Sequence, residues 1–196
     1  MERIFVDTET TGLGSGARLV EASVVDQSGQ VILDTLANPG VPISMGATAV
    51  HGISDADVRD APGHDRVREM VVELARGREV VIFNAGYDAP ILGMDGMPGI
   101  RCCMMRFSRL VGGWNQPRHA TRWCTLALAA RVTGYTWVGD PHRALADTLA
   151  CRHVWNWLDE NGDRVSAMRD RAFEEARERH LQLFLAGHDA LPQPAW

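Results

Sequence analysis

The order of apolar segments along the chain constrains its fold more than any other feature of the sequence. Three strand-like runs come first, and helical and strand-like segments alternate after them. The three runs are Arg3–Val6, Leu19–Asp26 and Val31–Leu36, and Ser28-Gly29 is a hairpin signal between the last two. Consecutive strands favour an antiparallel meander, whereas the later alternation favours parallel strands. We therefore predict an α/β protein with a mixed sheet.

The later segments are bounded by residues that end helices or strands. Val67–Ala75 has helical spacing and stops before Gly77, and Val80–Phe83 is a continuous apolar run typical of a buried parallel strand. Gly162 suits the end of one helix and Asp163 the start of the next. The other predictions are a loop over 38–44, a helix beginning within 88–92, a strand over 100–105, a loop over 112–121, and helices over 126–132, 145–158 and 164–186.

Size and composition predict a single domain with a real core. The chain has 196 residues, of which 45% are hydrophobic and 23% are charged. No apolar run is long enough to span a bilayer and the N-terminus lacks a signal-peptide pattern, so we expect a cytoplasmic protein without a membrane partner. The four cysteines fit neither a C-x-x-C pair nor a zinc spacing, and we expect them to be reduced packing residues.

The charge balance does not exclude a phosphate substrate. The net charge is −5, which by itself argues against direct binding of nucleic acid. If several of the acids bind metal ions, however, the rest of the chain is nearly neutral. All 20 basic residues are arginine, which suits bidentate contacts with phosphate, although codon composition is the stronger explanation for the absence of lysine.

Two acids, Asp7 and Glu9, directly follow the first apolar run. Alternate residues of a strand point to the same face, so the two carboxylates should lie side by side. Their mutual repulsion favours a hard divalent cation such as Mg²⁺ or Mn²⁺ between them. Two solvated acids at a strand end would show the same pattern, so a metal site requires further ligands downstream.

Three downstream residues supply candidates for the same site. Asp88 lies just beyond the run over 80–83, where α/β sheets place their sites, although a helix N-cap is an equally good interpretation. His142 precedes Asp147 by five residues, and Pro141 marks a helix entry. If the helix begins just after His142, the imidazole can lie over the same cleft as Asp147. The alternatives are a solvated loop histidine and a first-turn acid favoured by the helix dipole.

Together these residues resemble the three motifs of the DEDDh 3′–5′ exonucleases. This DnaQ-like group includes polymerase proofreading subunits, ribonuclease T and oligoribonuclease. The motifs here are Asp7-Thr8-Glu9, Asn84-x-x-Tyr87-Asp88 and His142-x-x-x-x-Asp147, in the expected order. The resemblance implies a ribonuclease-H-like fold, with a five-stranded mixed sheet flanked by helices, and an exonuclease domain over residues 1–160.

The resemblance also implies a mechanism. Asp7, Glu9, Asp88 and Asp147 would hold two divalent cations, Mg²⁺ or Mn²⁺. Asp7 would serve both, Glu9 and Asp147 would complete one site, and Asp88 would belong to the other. His142 would act as general base, and the product would be a nucleoside 5′-monophosphate.

Residues around the first two motifs are implied to bind the terminal nucleotide. They are Thr10, Gly12, Leu13, His51, Asn84 and Tyr87. Leu13 would wedge against the last bases, His51 would contact the terminal nucleotide, and Tyr87 would stack on a base or sugar. Ordinary packing is the alternative for Leu13 and Tyr87, and Asn84 could equally brace the backbone. Phe83 departs from many relatives, which carry histidine there, but it is outside the ligand set.

We therefore predict a metal-dependent 3′–5′ exonuclease acting on single-stranded or frayed DNA 3′ ends. RNA 3′ ends or short oligoribonucleotides are the first alternative, because discrimination of the 2′-hydroxyl depends on the shape of the pocket. A non-catalytic accessory module of a polymerase or repair complex is the second. Residues 161–196 form a C-terminal helix and tail that would pack on the domain, on a second copy, or on a polymerase or sliding clamp.

Overall fold

The structure, a computed structural model, describes residues 2–111, 114–115, 120–121 and 123–188. The strands are β1 (Arg3–Thr10), β2 (Leu19–Asp26), β3 (Val31–Leu36), β4 (Glu79–Ile82), β5 (Ile100–Cys102), β6 (Trp114–Asn115) and β7 (Ala120–Thr121). The helices are α1 (Met45–His51), α2 (His64–Ala75), α3 (Ala85–Leu92), α4 (Cys103–Val111), α5 (Leu126–Thr133) and α6 (Ala144–His188).

Five strands form one mixed sheet in the order β3-β2-β1-β4-β5. The pairs β1–β2 and β2–β3 are antiparallel, whereas β1–β4 and β4–β5 are parallel. The predicted α/β class, meander and mixed sheet are therefore confirmed. The short strands β6 and β7 pair with each other within the segment over 112–121, where we predicted only a loop. Residues 112–113 and 116–119 of that segment lie outside the described residues.

Helices cover both faces of the sheet and bury its side chains. On β1, Ile4 and Val6 belong to a core with helices α2 and α3. Phe5, between them, points to the other face and belongs to a core with α4, α5 and α6. Because alternate residues share a face, the second side continues along β1 to Asp7 and Glu9. The alternation of side chains along β1 thus places both acids on the face of the sheet that α6 covers.

The first strand is longer than predicted. We expected it to end at Val6, but β1 runs to Thr10, so both acids lie within it. The reason is its pairing with β2, in which Asp7 opposes Ser23 and Glu9 opposes Glu21. A shift in register between Glu9 and Thr10 then interrupts the pairing. Such bulges redirect side chains and are common next to active sites.

Two other boundaries differ from the predictions. Helix α1 was not predicted, although Ser44 caps it by accepting a hydrogen bond from the Ala47 N–H at 3.2 Å and Gly52 ends it in the left-handed conformation. The strand predicted over 100–105 ends at Cys102, and α4 follows at once. Its buried Cys103 and Phe107 are four residues apart, which is helical spacing rather than strand spacing.

The predicted helix break at Gly162 is wrong. Asn161, Gly162 and Asp163 lie within α6, and Gly162 is not among the described glycines with positive φ. A glycine inside a helix costs only about 1 kcal/mol relative to alanine, which does not suffice to end it.

The chain divides into two compact units, Met1–Leu158 and Asp159–Trp196. All the buried core clusters that involve the sheet belong to the first. The four cysteines are unpaired, and three of them are buried. Within the described part of the chain, no helix is long and apolar enough to cross a membrane.

Candidate active site

Three of the four predicted metal ligands come together where β1 meets α6. Asp7 and Glu9 lie on the same face of β1, and Asp147 lies in the first turn of α6. One carboxylate oxygen from each lies within 4.8 Å of the others. This carboxylate triad of Asp7, Glu9 and Asp147 offers the oxygen ligands that a hard divalent cation prefers, and its members are buried or half-buried.

Asp88, the fourth predicted ligand, lies beside the triad but not in that oxygen cluster. It occupies the first turn of α3, directly after β4, and is buried. The hydroxyl of Thr8 donates to its Oδ1 at 2.6 Å, which fixes the carboxylate against β1. Its charge is still close enough to raise the pKa of Asp7, after the larger effect of burial.

Burial raises the pKa of all four acids, and repulsion from neighbouring carboxylates adds to it. Burial is the main cause of the elevated pKa of Asp7, and repulsion from Asp88 and Asp147 adds to it. The pKa of Glu9 rises to about 8 and that of Asp88 to about 6, again chiefly through burial. Carboxylates with such raised pKa values accumulate at functional sites, and a bound cation would favour their ionised forms.

His142 lies two residues before α6, at the edge of the triad. Its φ of 65° is left-handed, and no other non-glycine residue among those described has a positive φ. The side chain is exposed, and the backbone N–H donates to Asp147 Oδ1 at 3.2 Å. Burial raises the pKa of Asp147, while this hydrogen bond and the nearby His142 charge act in the opposite direction.

A fifth carboxylate, that of Glu21, lies next to the site and is not among the residues predicted from the sequence. It lies on β2 directly opposite Glu9 and is 4% exposed. The guanidinium of Arg143 donates to both of its oxygens, and the Ala144 N–H donates to Oε2 at 2.9 Å. The available signal was an acid inside the apolar run Leu19–Val25, because acids are rarely buried without a partner.

A cavity of about 480 Å³ adjoins the triad and shares Glu9 with it. Most of the predicted substrate-binding residues line this cavity: Thr10, Gly12, Leu13, His51 and Tyr87. Asn84, also predicted, is not among the described residues that line it. Leu13 is 94% exposed, so nothing in the described chain packs over its side chain.

Comparison with known proteins identifies the family. A family model described as "Exonuclease" matches residues 4–96. The uncharacterized exonuclease CP81 of Escherichia phage 186 is 37% identical over 172 residues, which are 81% of this chain and 87% of the phage protein. The chain belongs to the DEDDh, DnaQ-like exonuclease family.

Two further relatives agree with this assignment. Exodeoxyribonuclease 10 of Escherichia coli K12 is 34% identical over 107 residues, which are 53% of this chain and 46% of that protein, so the match spans about half of each. The structure of Exonuclease X in complex with 5′-overhanging duplex DNA has 28% identity and a TM-score of 0.62, and the match covers 82% of this chain and 93% of that one. The protein is thus a nuclease. This confirms the prediction of an enzyme over the alternative of a non-catalytic accessory module.

In this exonuclease, polar groups of the cavity hold the turn that follows β1. The Tyr87 hydroxyl lies 2.8 Å from both the Gly12 carbonyl oxygen and Thr10 Oγ1. His51 Nδ1 accepts from the Ile53 N–H at 3.0 Å, so Nε2 carries the proton that it donates to the Thr10 carbonyl at 3.2 Å. Burial lowers the pKa of His51, which favours this neutral ring. Both side chains therefore brace the cavity wall as well as line it.

Asn84 lies at the start of α3 in the exonuclease. It occupies the N-cap position of α3, and its side chain makes no capping hydrogen bond. Its carbonyl oxygen accepts from the N–H groups of Tyr87 and Asp88 at 2.8 and 3.2 Å. The oxygen is that of the backbone, so these bonds begin α3 and do not involve the Asn84 side chain. The roles in catalysis and substrate binding that the motifs imply remain predictions.

Proposed function

We propose that the exonuclease removes nucleotides one at a time from DNA 3′ ends by hydrolysis that depends on divalent cations. The observation that carries this proposal is the carboxylate triad at the wall of a nucleotide-sized cavity. A DNA substrate is supported by the names of two relatives, an exodeoxyribonuclease and a nuclease bound to 5′-overhanging duplex DNA. A 5′ overhang implies a recessed 3′ end, which supports the 3′–5′ direction.

The acids would hold the cations, and the donor set fits that role. Asp7, Glu9 and Asp147 would bind one ion, and Asp88 would hold a second together with Asp7. Two bound Mg²⁺ or Mn²⁺ ions would activate a water molecule and stabilise the negative charge that develops on the phosphate. His142 would accept the proton of the attacking water, and its exposed position allows that proton to pass on to solvent.

The cavity would hold the terminal nucleotide. Ligand pockets are commonly apolar with a few placed polar groups, and this cavity combines Leu13 and Val50 with the hydroxyl of Thr10. An exposed leucine beside the cavity is available to contact a nucleobase, which would align the chain end so that its last phosphate reaches the triad. The shape of the cavity around the sugar would then decide whether the enzyme accepts DNA or RNA.

A digestion panel tests this function. Single-stranded DNA, duplex DNA with a 5′ overhang and RNA of the same sequence would each carry a 5′ label and be incubated with Mg²⁺ or with a chelator. We expect DNA ladders that shorten from the 3′ end only with Mg²⁺. Faster digestion of RNA would favour the exoribonuclease alternative, and loss of the 5′ label as the first product would contradict the proposed direction.

A variant in the triad links this activity to the acids. Asp7→Asn should lower the rate at least about 100-fold. Loss of a residue that merely supports a metal ligand already lowers metal affinity or activity about 10–100-fold, and this change removes a charged ligand itself. The matched control is Asp60→Asn, the same change at an exposed acid, which should keep the wild-type rate. Full activity of Asp7→Asn would refute the assigned site.

A further inference from the structure

Three consecutive residues before and at the start of α6 are each bound to a carboxylate. The His142 N–H donates to Asp147, the Arg143 guanidinium donates to Glu21, and the Ala144 N–H donates to Glu21 as well. Asp147 belongs to α6 itself, whereas Glu21 belongs to β2, which lies between β3 and β1 in the sheet. The segment is therefore tied to the sheet through one buried side chain.

The backbone of His142 needs such restraint. A left-handed φ is uncommon in residues other than glycine, and sparsely populated conformations persist where the surrounding contacts determine them. The direction of the imidazole follows from this backbone conformation. If the backbone relaxed towards the common negative φ region, the Cα–Cβ bond would turn and the imidazole would point in a different direction relative to Asp147.

Glu21 is suited to hold that backbone. It lies on β2 directly opposite Glu9, so the sheet that supports Asp7 and Glu9 also supports its carboxylate. The side chain of Glu21 is 5% exposed, whereas that of Arg143 is 45% exposed. Opening the contact would leave the buried charge of Glu21 without Arg143, so the pair stays closed. Neither residue is a predicted metal ligand or touches the substrate cavity.

From these contacts we infer that Glu21 and Arg143 form a positioning pair that aims His142 at the carboxylate triad. The inference rests on the proposed function, because it assigns His142 the role of general base. Glu21 is a positioning residue, since it acts through Arg143 and the backbone of residues 142–144. The competing explanation is that the pair only stabilises the start of α6.

Kinetics of paired variants separate these explanations. Glu21→Gln keeps the shape and an acceptor for the Ala144 N–H but removes the charge that holds Arg143, and Arg143→Gln removes the same contact from its exposed side. Each should lower kcat about 10–100-fold with KM within about twofold, because misplacing a catalytic group by about 1 Å costs about 100-fold. The matched control is Glu79→Gln, which opens the Arg3–Glu79 ion pair (3.2 Å) at the opposite end of β1 and should leave kcat unchanged.

A double-mutant cycle then tests whether Glu21 acts through His142. In a His142→Ala background, Glu21→Gln should change kcat by less than about twofold, since residues that act as a unit are strongly non-additive. An equal loss in both backgrounds would overturn the inference, as would an unchanged kcat in Glu21→Gln. A purely structural role would lower the melting temperature and would act equally with and without His142.

NMR of the metal-free protein supplies a readout that does not depend on activity. The ring protons of His142, assigned by their loss in His142→Ala, should give one sharp set of signals in the wild type and in Glu79→Gln. In Glu21→Gln and Arg143→Gln they should broaden or split, and unchanged signals would contradict a positioning role. If the wild type digests no 3′ end, the proposed function fails while this measurement still decides the positioning.

Discussion

At the scale of the residue, position in the fold decides what each polar side chain does. Tyr87 is predicted to stack on a base or sugar, and its hydroxyl is also within hydrogen-bonding distance of both Thr10 Oγ1 and the Gly12 carbonyl. His51 is predicted to contact the terminal nucleotide, and both of its ring nitrogens also bind backbone groups. Their side chains line the cavity while their polar atoms keep the turn at Thr10–Leu13 in place.

Tyr87→Phe tests this bracing role. The change removes only the hydroxyl, and the loss of about 1 kcal/mol of hydrogen bonding should raise KM for a DNA 3′ end about fivefold. A ring that merely stacks would tolerate it, so an unchanged KM would contradict the bracing role. The control is Tyr135→Phe, a change at the only other tyrosine of the chain, which should leave KM unchanged. Steady-state kinetics on a short labelled oligonucleotide provide the measurement.

At the scale of the element, two glycines, one at a helix end and one within a helix, have opposite roles. Gly52 ends α1 with φ of 76°, in the left-handed conformation that favours glycine. Gly162 lies inside α6 and lacks a positive φ, although its neighbours Asn161 and Asp163 are typical of a helix end. The backbone conformation, rather than the residue type, distinguishes the two positions.

Alanine substitutions at these glycines should therefore have effects of opposite sign. Gly162→Ala should stabilise α6 by about 0.5–1 kcal/mol, because alanine loses less conformational entropy in a helix. Gly52→Ala should destabilise the protein by about 1 kcal/mol, because the native φ is strained for alanine. Circular dichroism at 222 nm during thermal unfolding measures both. A loss of helicity in Gly162→Ala would instead indicate that α6 ends there.

At the scale of the whole molecule, the acids make stability depend on pH and on cations. The folded protein without metal keeps the proton of Glu9 up to about pH 8, whereas a glutamate in the unfolded chain releases it near its ordinary pKa of 4.5. Asp88, with a pKa of about 6, acts in the same direction. Protonation thus favours the folded state below these values, and this contribution is lost as the pH rises through them.

The melting temperature without metal should fall between pH 5 and pH 8. Mg²⁺ binds the ionised acids of the folded state, so the stabilisation by Mg²⁺ should grow over the same range. Thermal melts with chelator or with Mg²⁺ at each pH measure both trends. Glu9→Gln should flatten the profile without metal, whereas Asp60→Asn should follow the wild type. A melting temperature that rises from pH 5 to pH 8 with chelator would contradict the raised pKa values.

The location of the core predicts that residues 1–158 fold independently. The two cores on either side of the sheet, and the smaller cluster around Val20 and Ile53, lie within these residues. A chain that ends after Leu158 should remain folded and digest DNA at close to the full-length rate. Calorimetry and the digestion assay check this. A truncated chain that folds but is inactive would show that residues 159–196 contribute to the reaction, for instance through self-association.

The sequence alone determined the class of fold, because the signals for strands are local. The apolar runs predicted as Leu19–Asp26 and Val31–Leu36 are β2 and β3 with the same bounds, since the runs and the Ser28-Gly29 turn between them are local features of the chain. The motifs determined the family for a similar reason, because their residue types and spacing are properties of the chain itself. Local signals failed where the tertiary context decides, as at the end of β1 and at Gly162.

Only the tertiary structure decided how the site is assembled. Thr8 and Asp88 are 80 residues apart in the chain, and Glu21 and Arg143 are 122 apart, so no local pattern can indicate that they touch. The register between β1 and β2 places Glu21 opposite Glu9, and packing of α6 on the sheet brings Asp147 to both. The chain thus carries the acids, whereas burial and strand register bring them close enough to raise their pKa values and to bind a cation.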